Sequence, residues 1–289
     1  MKKLLFVLSI FLTFSSCSNE AKGCNFTDDY CAADYEVQNP CEEIALDAGW
    51  KFASFSKINA GKAFLYKAAE NRNEIVVAVN AGHGTVGGAS VMTYSHPDKS
   101  PKVTGGTNAQ GAVESMAVSG GMTFECGISE AEINLRVAVI LRKLLLESGF
   151  DVLMIRSSDD VQLDNIARTV ISNNNADVHI AIHFDGDGKA YDKGCFYCGV
   201  PDELKFLKNV KAHCEESERL GQCLVNGLKA QGIAVYGAGR GSIDLTQTSY
   251  STIPTVDIEL GNQCTIPSTG ELEARAKGLV VGMLNYFKL

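Results

Sequence analysis

From Glu74 onward, short apolar runs of strand length alternate with longer stretches of helical period, and this alternation leaves few folds open to the chain. Residues 75–80, 151–156, 178–183, 195–200, 233–236 and 255–260 read as strands, and 129–148, 164–174, 215–230 and 270–287 as helices. Several of the strands are apolar at consecutive positions, the pattern of strands covered on both sides. The expected fold is therefore α/β, a single mixed, mostly parallel sheet with helices on both faces. One helix start is well marked. Ser129 and Glu132 make a Ser-x-x-Glu capping box, Ile133, Val137, Ile140, Leu141 and Leu144 share one stripe, and Gly149 closes the helix. With Glu132 assigned to the cap, Glu130 is free for other work.

Ahead of this region, Lys51-Phe-Ala-Ser-Phe-Ser, the turn Asn59-Ala-Gly and Lys62-Ala-Phe-Leu-Tyr-Lys predict a hairpin. Residues 18–47 are polar, carry three cysteines and lack sustained periodicity, as a tether would. The start, Met1-Lys2-Lys3 followed by an apolar run over 4–14, has the form of an export signal and is too short to span a bilayer. Ser15-Ser16-Cys17 resembles a bacterial lipoprotein cleavage site, with Cys17 the lipidated first residue; ordinary cleavage near Ser16 is the alternative. The expected division is a signal peptide over 1–16, a tether and N-terminal extension over 17–73, and a catalytic domain over 74–289. No later apolar stretch is long enough for a membrane helix, so the expected membrane contact is through a lipid anchor only.

An exported chain with ten cysteines favours disulfides over metal clusters. Cys195 and Cys198 point to opposite faces of a strand, and Cys214 and Cys223 would be separated by roughly 13 Å of helical rise, so neither pair bonds internally and cross-links elsewhere are expected. A formal charge of −8 argues against nucleic acid, whose phosphates reward clustered Lys and Arg.

In open α/β sheets ligands bind beyond the carboxyl ends of the strands. His83 follows one strand end, His183 and Glu259 end two others, and Glu130 opens a helix. Two imidazoles and one carboxylate are a ligand set that leaves tetrahedral zinc an open position, the mark of a catalytic rather than structural site. His179 shares a strand face with His183 but lies roughly 13 Å along it, too far for one metal, and is expected to be a hydrogen-bonded interior residue. His96 and His213 are expected to face solvent. The Gly- and Ser-rich stretch 84–127 is long enough to be a functional loop bordering the site, either lid or specificity wall. Its Ala81-Gly-His-Gly-Thr-Val-Gly-Gly start lacks the phosphate-loop patterns, which sets aside a nucleotide site.

Over 74–289 the chain resembles the zinc-dependent N-acetylmuramoyl-L-alanine amidase family of bacterial cell-wall hydrolases. The matching pieces are Val79-Asn-Ala-Gly-His83-Gly, Glu130-x-x-x-Asn134-Leu135, Gly149-Phe-x-Val152-Leu-Met-Ile-Arg156, Asp164-x-x-x-Arg168, Ala181-Ile-His183 and Pro254-x-x-x-Ile258-Glu259-Leu-Gly261-Asn262. The resemblance implies that His83, Glu130 and His183 bind zinc and that Glu259 is the catalytic acid/base. It also implies that Arg156 and Arg168 pair with carboxylates beneath the site. The chain departs from the family at Asn80, at Phe184-Asp185 and in the length of the insertion after His83, which bears on substrate range. A bridge between Cys126 and Cys264 would stiffen the site.

The implied reaction is hydrolysis of the amide joining N-acetylmuramic acid to L-alanine, on peptidoglycan or muropeptides, by an enzyme of the cell envelope facing the periplasm. Two alternatives differ in class. A non-catalytic peptidoglycan-binding lipoprotein would lose a ligand or the acid at 259. A same-fold zinc peptidase cutting another wall peptide bond would differ in the shape of its groove. Oligomeric state and any activating partner leave no signature in the sequence.

Overall fold

The computed structural model describes residues 41–289, so the signal and the Cys17 site lie outside the described residues. Ten strands and five α-helices are described. They are β1 (Cys41–Ala45), β2 (Lys62–Tyr66), β3 (Val76–Ala81), β4 (Met92–Tyr94), β5 (Glu114–Met116), α1 (Glu130–Glu147), β6 (Asp151–Met154), α2 (Asn165–Asn175), β7 (Val178–Asp185), β8 (Cys195–Gly199), α3 (Lys208–Ala230), β9 (Val235–Ser242), α4 (Thr246–Tyr250), β10 (Thr255–Asn262) and α5 (Thr269–Phe287).

Eight strands form one sheet in the order β1-β2-β6-β3-β7-β10-β8-β9. The centre, β6-β3-β7-β10, is parallel, as crossover helices require, while β2 and β8 flank it antiparallel. Two-residue alternation divides the strands between two faces. Val77, Val79, Ile180, Ile182, Val256 and Ile258 point into the larger core, against α1, α3 and α5. Ala78 and Leu153 point to the other face, against Ala167 and Ile171 of α2. The sheet is thus mixed, with helices on both faces, as expected.

In two features the N-terminal region differs from the sequence expectation. The hairpin partner of β2 is β1, within the segment expected to be a tether, whereas 53–55 forms a 3-10 turn. That turn follows Phe52 at φ 72°, a left-handed residue that a continuous strand excludes. The second is that β2 pairs on to β6, so the N-terminal extension is continuous with the sheet. Ser129 caps α1 as expected, accepting from the Glu132 amide at 3.2 Å, but the Glu132 carboxylate pairs with Arg136 one turn on. Gly149 at φ 88° then ends α1.

Candidate metal centre

The sheet face covered by α2 turns polar toward the carboxyl ends of its strands. Asn80 of β3, His183 of β7 and Asp257 and Glu259 of β10 all line a cleft of 770 Å³ there. Val256, Ile258 and Leu260 alternate with the two acids and fill the core behind, so a one-residue slip of β10 would bury the carboxylates in hydrocarbon.

His83 stands two residues beyond β3 at φ 64°, a left-handed conformation that costs a non-glycine residue about 1 kcal/mol or more. Two buried arginines hold it there. Arg156 donates to the carbonyls of Ala81 at 3.1 Å and Gly82 at 3.0 Å, and Arg168 to the carbonyls of Ala81 at 3.2 Å and His83 at 2.6 Å. The expected carboxylate partners are therefore replaced by peptide carbonyls. Burial pulls Arg156 down to about 10 and Arg168 down to about 9, so both keep their charge at neutral pH. The imidazole is oriented too. Its Nδ1 lies 2.8 Å from the Ser119 carbonyl, which accepts a hydrogen bond from Nδ1–H and leaves the Nε2 lone pair facing the site.

Glu130 is the first residue of α1, where the helix N-terminus favours an anion. Its Oε1 accepts from the Phe184 amide at 3.1 Å and Asn134 Nδ2 at 3.2 Å, and its Oε2 from the Met122 amide at 2.9 Å. Burial alone would raise this carboxyl, but the adjoining His183 and His83 imidazoles outweigh it and hold the group well below the usual range.

His83 Nε2, Glu130 Oε1 and His183 Nδ1 meet. The separations are 2.8 Å for His83 to Glu130, 3.0 Å for His183 to Glu130 and 3.1 Å for His183 to His83. Ligands bonded to tetrahedral zinc at about 2.0–2.1 Å stand about 3.3 Å apart, so a slight opening of this triangle would seat such an ion. The donor chemistry, two imidazoles and a carboxylate, is that of a catalytic zinc site, and a fourth direction opens into the cleft. The backbone has been trimmed to allow this. A Cβ on Gly82 would lie 2.2 Å from the His183 ring, and one on Gly121 2.7 Å from His83 Cδ2 and 2.9 Å from Glu130 Oε2.

Glu259 is the cross-strand partner of His183 in the parallel β10-β7 pair. Its Oε2 is buried and has no hydrogen-bond partner among the described residues. Burial first, and the neighbouring Asp257 carboxylate second, push Glu259 well above the usual carboxyl range. Asp257 itself was not singled out in the sequence. Its Oδ2 lies 3.6 Å from His183 Nε2, on the side of the ring away from Glu130. The Thr255-Val-Asp-Ile-Glu alternation carries the signal that would have found it, because Asp257 shares a face with Glu259.

The other histidines fall differently from expectation. His179 is interior, but neither ring nitrogen has a hydrogen-bond partner among the described residues, and burial drives it down to about 3, so it stays neutral. His96 is fully buried rather than solvent-facing, with Nε2 2.9 Å from Asp244 and Nδ1 2.8 Å from Ser100. His213 is partly buried on α3. Cys195, Cys198, Cys214, Cys223 and Cys264 are free thiols, so the cross-links expected of the first four and the Cys126–Cys264 bridge are not formed. Cys264 Sγ instead lies 3.1 Å from both Glu125 Oε1 and the Lys189 carbonyl.

The 84–127 stretch is ordered around the β4-β5 hairpin. Asp244 anchors it, accepting from the Val103 amide at 2.7 Å, from His96 and facing Lys102. Lys102, Thr107 and Asn108 then form one wall of the cleft, and Ser119, Gly121 and Met122 the floor beside His83.

A family profile for N-acetylmuramoyl-L-alanine amidase matches residues 77–266. Among solved structures, the apo N-acetylmuramyl-L-alanine amidase Ami1 of Mycobacterium abscessus is similar at a TM-score of 0.60 and 20% identity, over 75% of this chain and 99% of that one. Ami1 of Mycobacterium smegmatis gives 0.60 and 16%, over 74% and 97%. The N-acetylmuramoyl-L-alanine amidase of Clostridium difficile 630 gives 0.55 and 18%, over 75% and 98%. These likenesses concern the fold. A search of curated proteins returns no match. The profile spans most of the sheet together with all four residues expected from the sequence, and the chain belongs to the N-acetylmuramoyl-L-alanine amidase family, hydrolases that cut the amide between N-acetylmuramic acid and L-alanine in peptidoglycan.

Proposed function

We propose that this chain carries out its amide hydrolysis with one zinc ion held by His83 Nε2, Glu130 Oε1 and His183 Nδ1, and with Glu259 as the acid/base. The observation that supports this most is the triangle of donors 2.8 to 3.1 Å on a side, opening on the cleft. Bound there, zinc supplies Lewis-acid chemistry that activates water and polarises the amide carbonyl. The protein's own groups do the rest. Ser119 and the two buried arginines fix the His83 ring, while Asn134 and the Phe184 and Met122 amides fix Glu130. Asp257, beside His183 Nε2, positions that ring from the other side. Glu259 takes the proton from water and passes it to the departing amine, because an amine anion is too basic to leave unprotonated. Its raised affinity for protons, set by burial and by Asp257, suits it to carry one between the two steps.

Residues 74–289 carry this machinery, with 1–16 as export signal and 17–73 as an extension whose β1 and β2 lengthen the sheet. Lipidation at Cys17 and a place in the envelope facing the periplasm follow from the Ser15-Ser16-Cys17 signal. They agree with a peptidoglycan or muropeptide substrate. Among the described residues no helix is long and apolar enough to cross a membrane, which leaves the lipid as the proposed anchor. Metal analysis alongside digestion of purified peptidoglycan tests the proposal. One zinc per chain, loss of digestion on chelation and recovery on adding zinc are expected. Undiminished digestion after the metal is stripped would overturn it.

A further inference from the structure

Beside the centre just described lies a second group of donors. Cys198 of β8 is the cross-strand partner of Asp257, and the alternation of β8 sends Cys195 and Tyr197 into the larger core and Cys198 to the cleft face. Cys198 Sγ and one carboxylate oxygen each of Asp257 and Glu259 lie within 4.8 Å of one another. All three residues line the cleft, so an ion has a way in. Asp257 is only 8% exposed, yet its Oδ1 has no hydrogen-bond partner among the described residues, and the same holds for Glu259 Oε2. Buried carboxylate oxygens without donors are costly, and a cation is the partner that would satisfy both at once. Lys193, the nearby ammonium, is already engaged by Asp185 and Asp187.

We propose that Cys198, Asp257 and Glu259 form a second, inhibitory site for a soft divalent cation, zinc or cadmium, which captures the catalytic carboxylate when metal is in excess. The thiol excludes magnesium and calcium as the preferred occupants, since soft sulfur selects soft ions. Bonds of about 2.3 Å to sulfur and 2.0–2.2 Å to oxygen place such donors roughly 3.5 Å apart, so side-chain rotations that shorten the separations by up to about 1.3 Å close the group on the ion. On binding, the Cys198 S–H bond breaks, its proton leaves to solvent and the thiolate sulfur bonds the metal. The primary centre contains no sulfur, so the two sites have distinct spectroscopic signatures. The site rests on the proposed role of Glu259 only for its effect on turnover, not for the binding of metal.

The full chain loaded with one equivalent of zinc is titrated with Cd²⁺, following thiolate-to-cadmium charge-transfer absorption in the ultraviolet. The band should grow with one further equivalent in the natural protein and be missing in Cys198→Ser and Cys198→Ala, with folding checked by circular dichroism. In parallel, excess Zn²⁺ should cut muropeptide hydrolysis by at least about 100-fold at saturation, the scale of losing a general base, and this sensitivity should vanish in Cys198→Ser. No band, or an equal band in both Cys198 variants, overturns the second site. A band in a protein that hydrolyses no muropeptide supports the site while removing the functional proposal on which its inhibitory role depends.

Discussion

Arg168 Nη2 donates to the carbonyl oxygen of His83 at 2.6 Å, tying a fully buried guanidinium to the backbone of a left-handed residue whose ring faces the proposed metal centre. The same guanidinium reaches Asn80, Ala81, Leu163 and Thr85, a spread that only a fork of five donors covers. Arg168→Lys keeps the charge and loses most of that reach. Zinc affinity should fall about 10- to 100-fold, the usual consequence of removing a group that orients a ligand. Competition titration with a chromophoric chelator measures it, and unchanged affinity would mean that His83 is held by other means.

Gly121 offers a second test. Its φ of 79° and its closeness to His83 and Glu130 leave no room for a methyl group, whereas Gly111, at φ 84°, has open space around it. Both alanine variants bear the conformational cost, but only Gly121→Ala drives atoms into the ligand triangle. Metal content should drop in Gly121→Ala and stay at one zinc in Gly111→Ala. Equal metal content in the two would show that the triangle tolerates displacement.

Asp244 anchors the wall of the cleft. Asp244→Ala leaves the Val103 amide and the buried His96 without their acceptor, so stability should fall by about 3 kcal/mol in denaturant unfolding. The wall formed by Lys102, Thr107 and Asn108 should loosen with it, raising KM for muropeptides while zinc content is unchanged. A KM equal to that of the natural protein would detach the wall from substrate binding.

A pH effect follows from the clip between Asp151 and Arg72, at 2.6 Å. Burial raises the Asp151 carboxyl, but the bond from Arg72 outweighs it and the amide of Ala68 helps, so the folded value lies below 3.8. A carboxyl depressed on folding contributes stability above its unfolded value and loses it as pH falls through the folded one. Asp151→Asn should therefore be less stable than the natural protein at neutral pH, and the gap should close below about pH 4. A gap that persists at low pH would assign the effect to packing.

Much of this architecture was legible because period and position act locally. The apolar runs of β3, β7 and β10 announce buried strands, and strand ends announce where His83, His183 and Glu259 converge. Partners distant in sequence were not legible. His96 is buried because Asp244, 148 positions away, accepts a hydrogen bond from its ring, and nothing near either residue records the other. Arg156 and Arg168 bond to carbonyls of a loop whose left-handed turn has no sequence signature beyond its glycines. Asp257 is the exception, since the alternation that carries Glu259 to the cleft carries it too.

Glu259 carries the central claim, that a carboxylate beside the proposed metal triangle moves the proton. Glu259→Gln removes the proposed base while keeping volume and leaving His83, Glu130 and His183 intact. Zinc content and muropeptide hydrolysis are measured on the same preparation. One zinc per chain with hydrolysis reduced about 10²- to 10⁴-fold is the expected result. Full zinc with undiminished hydrolysis would contradict the account.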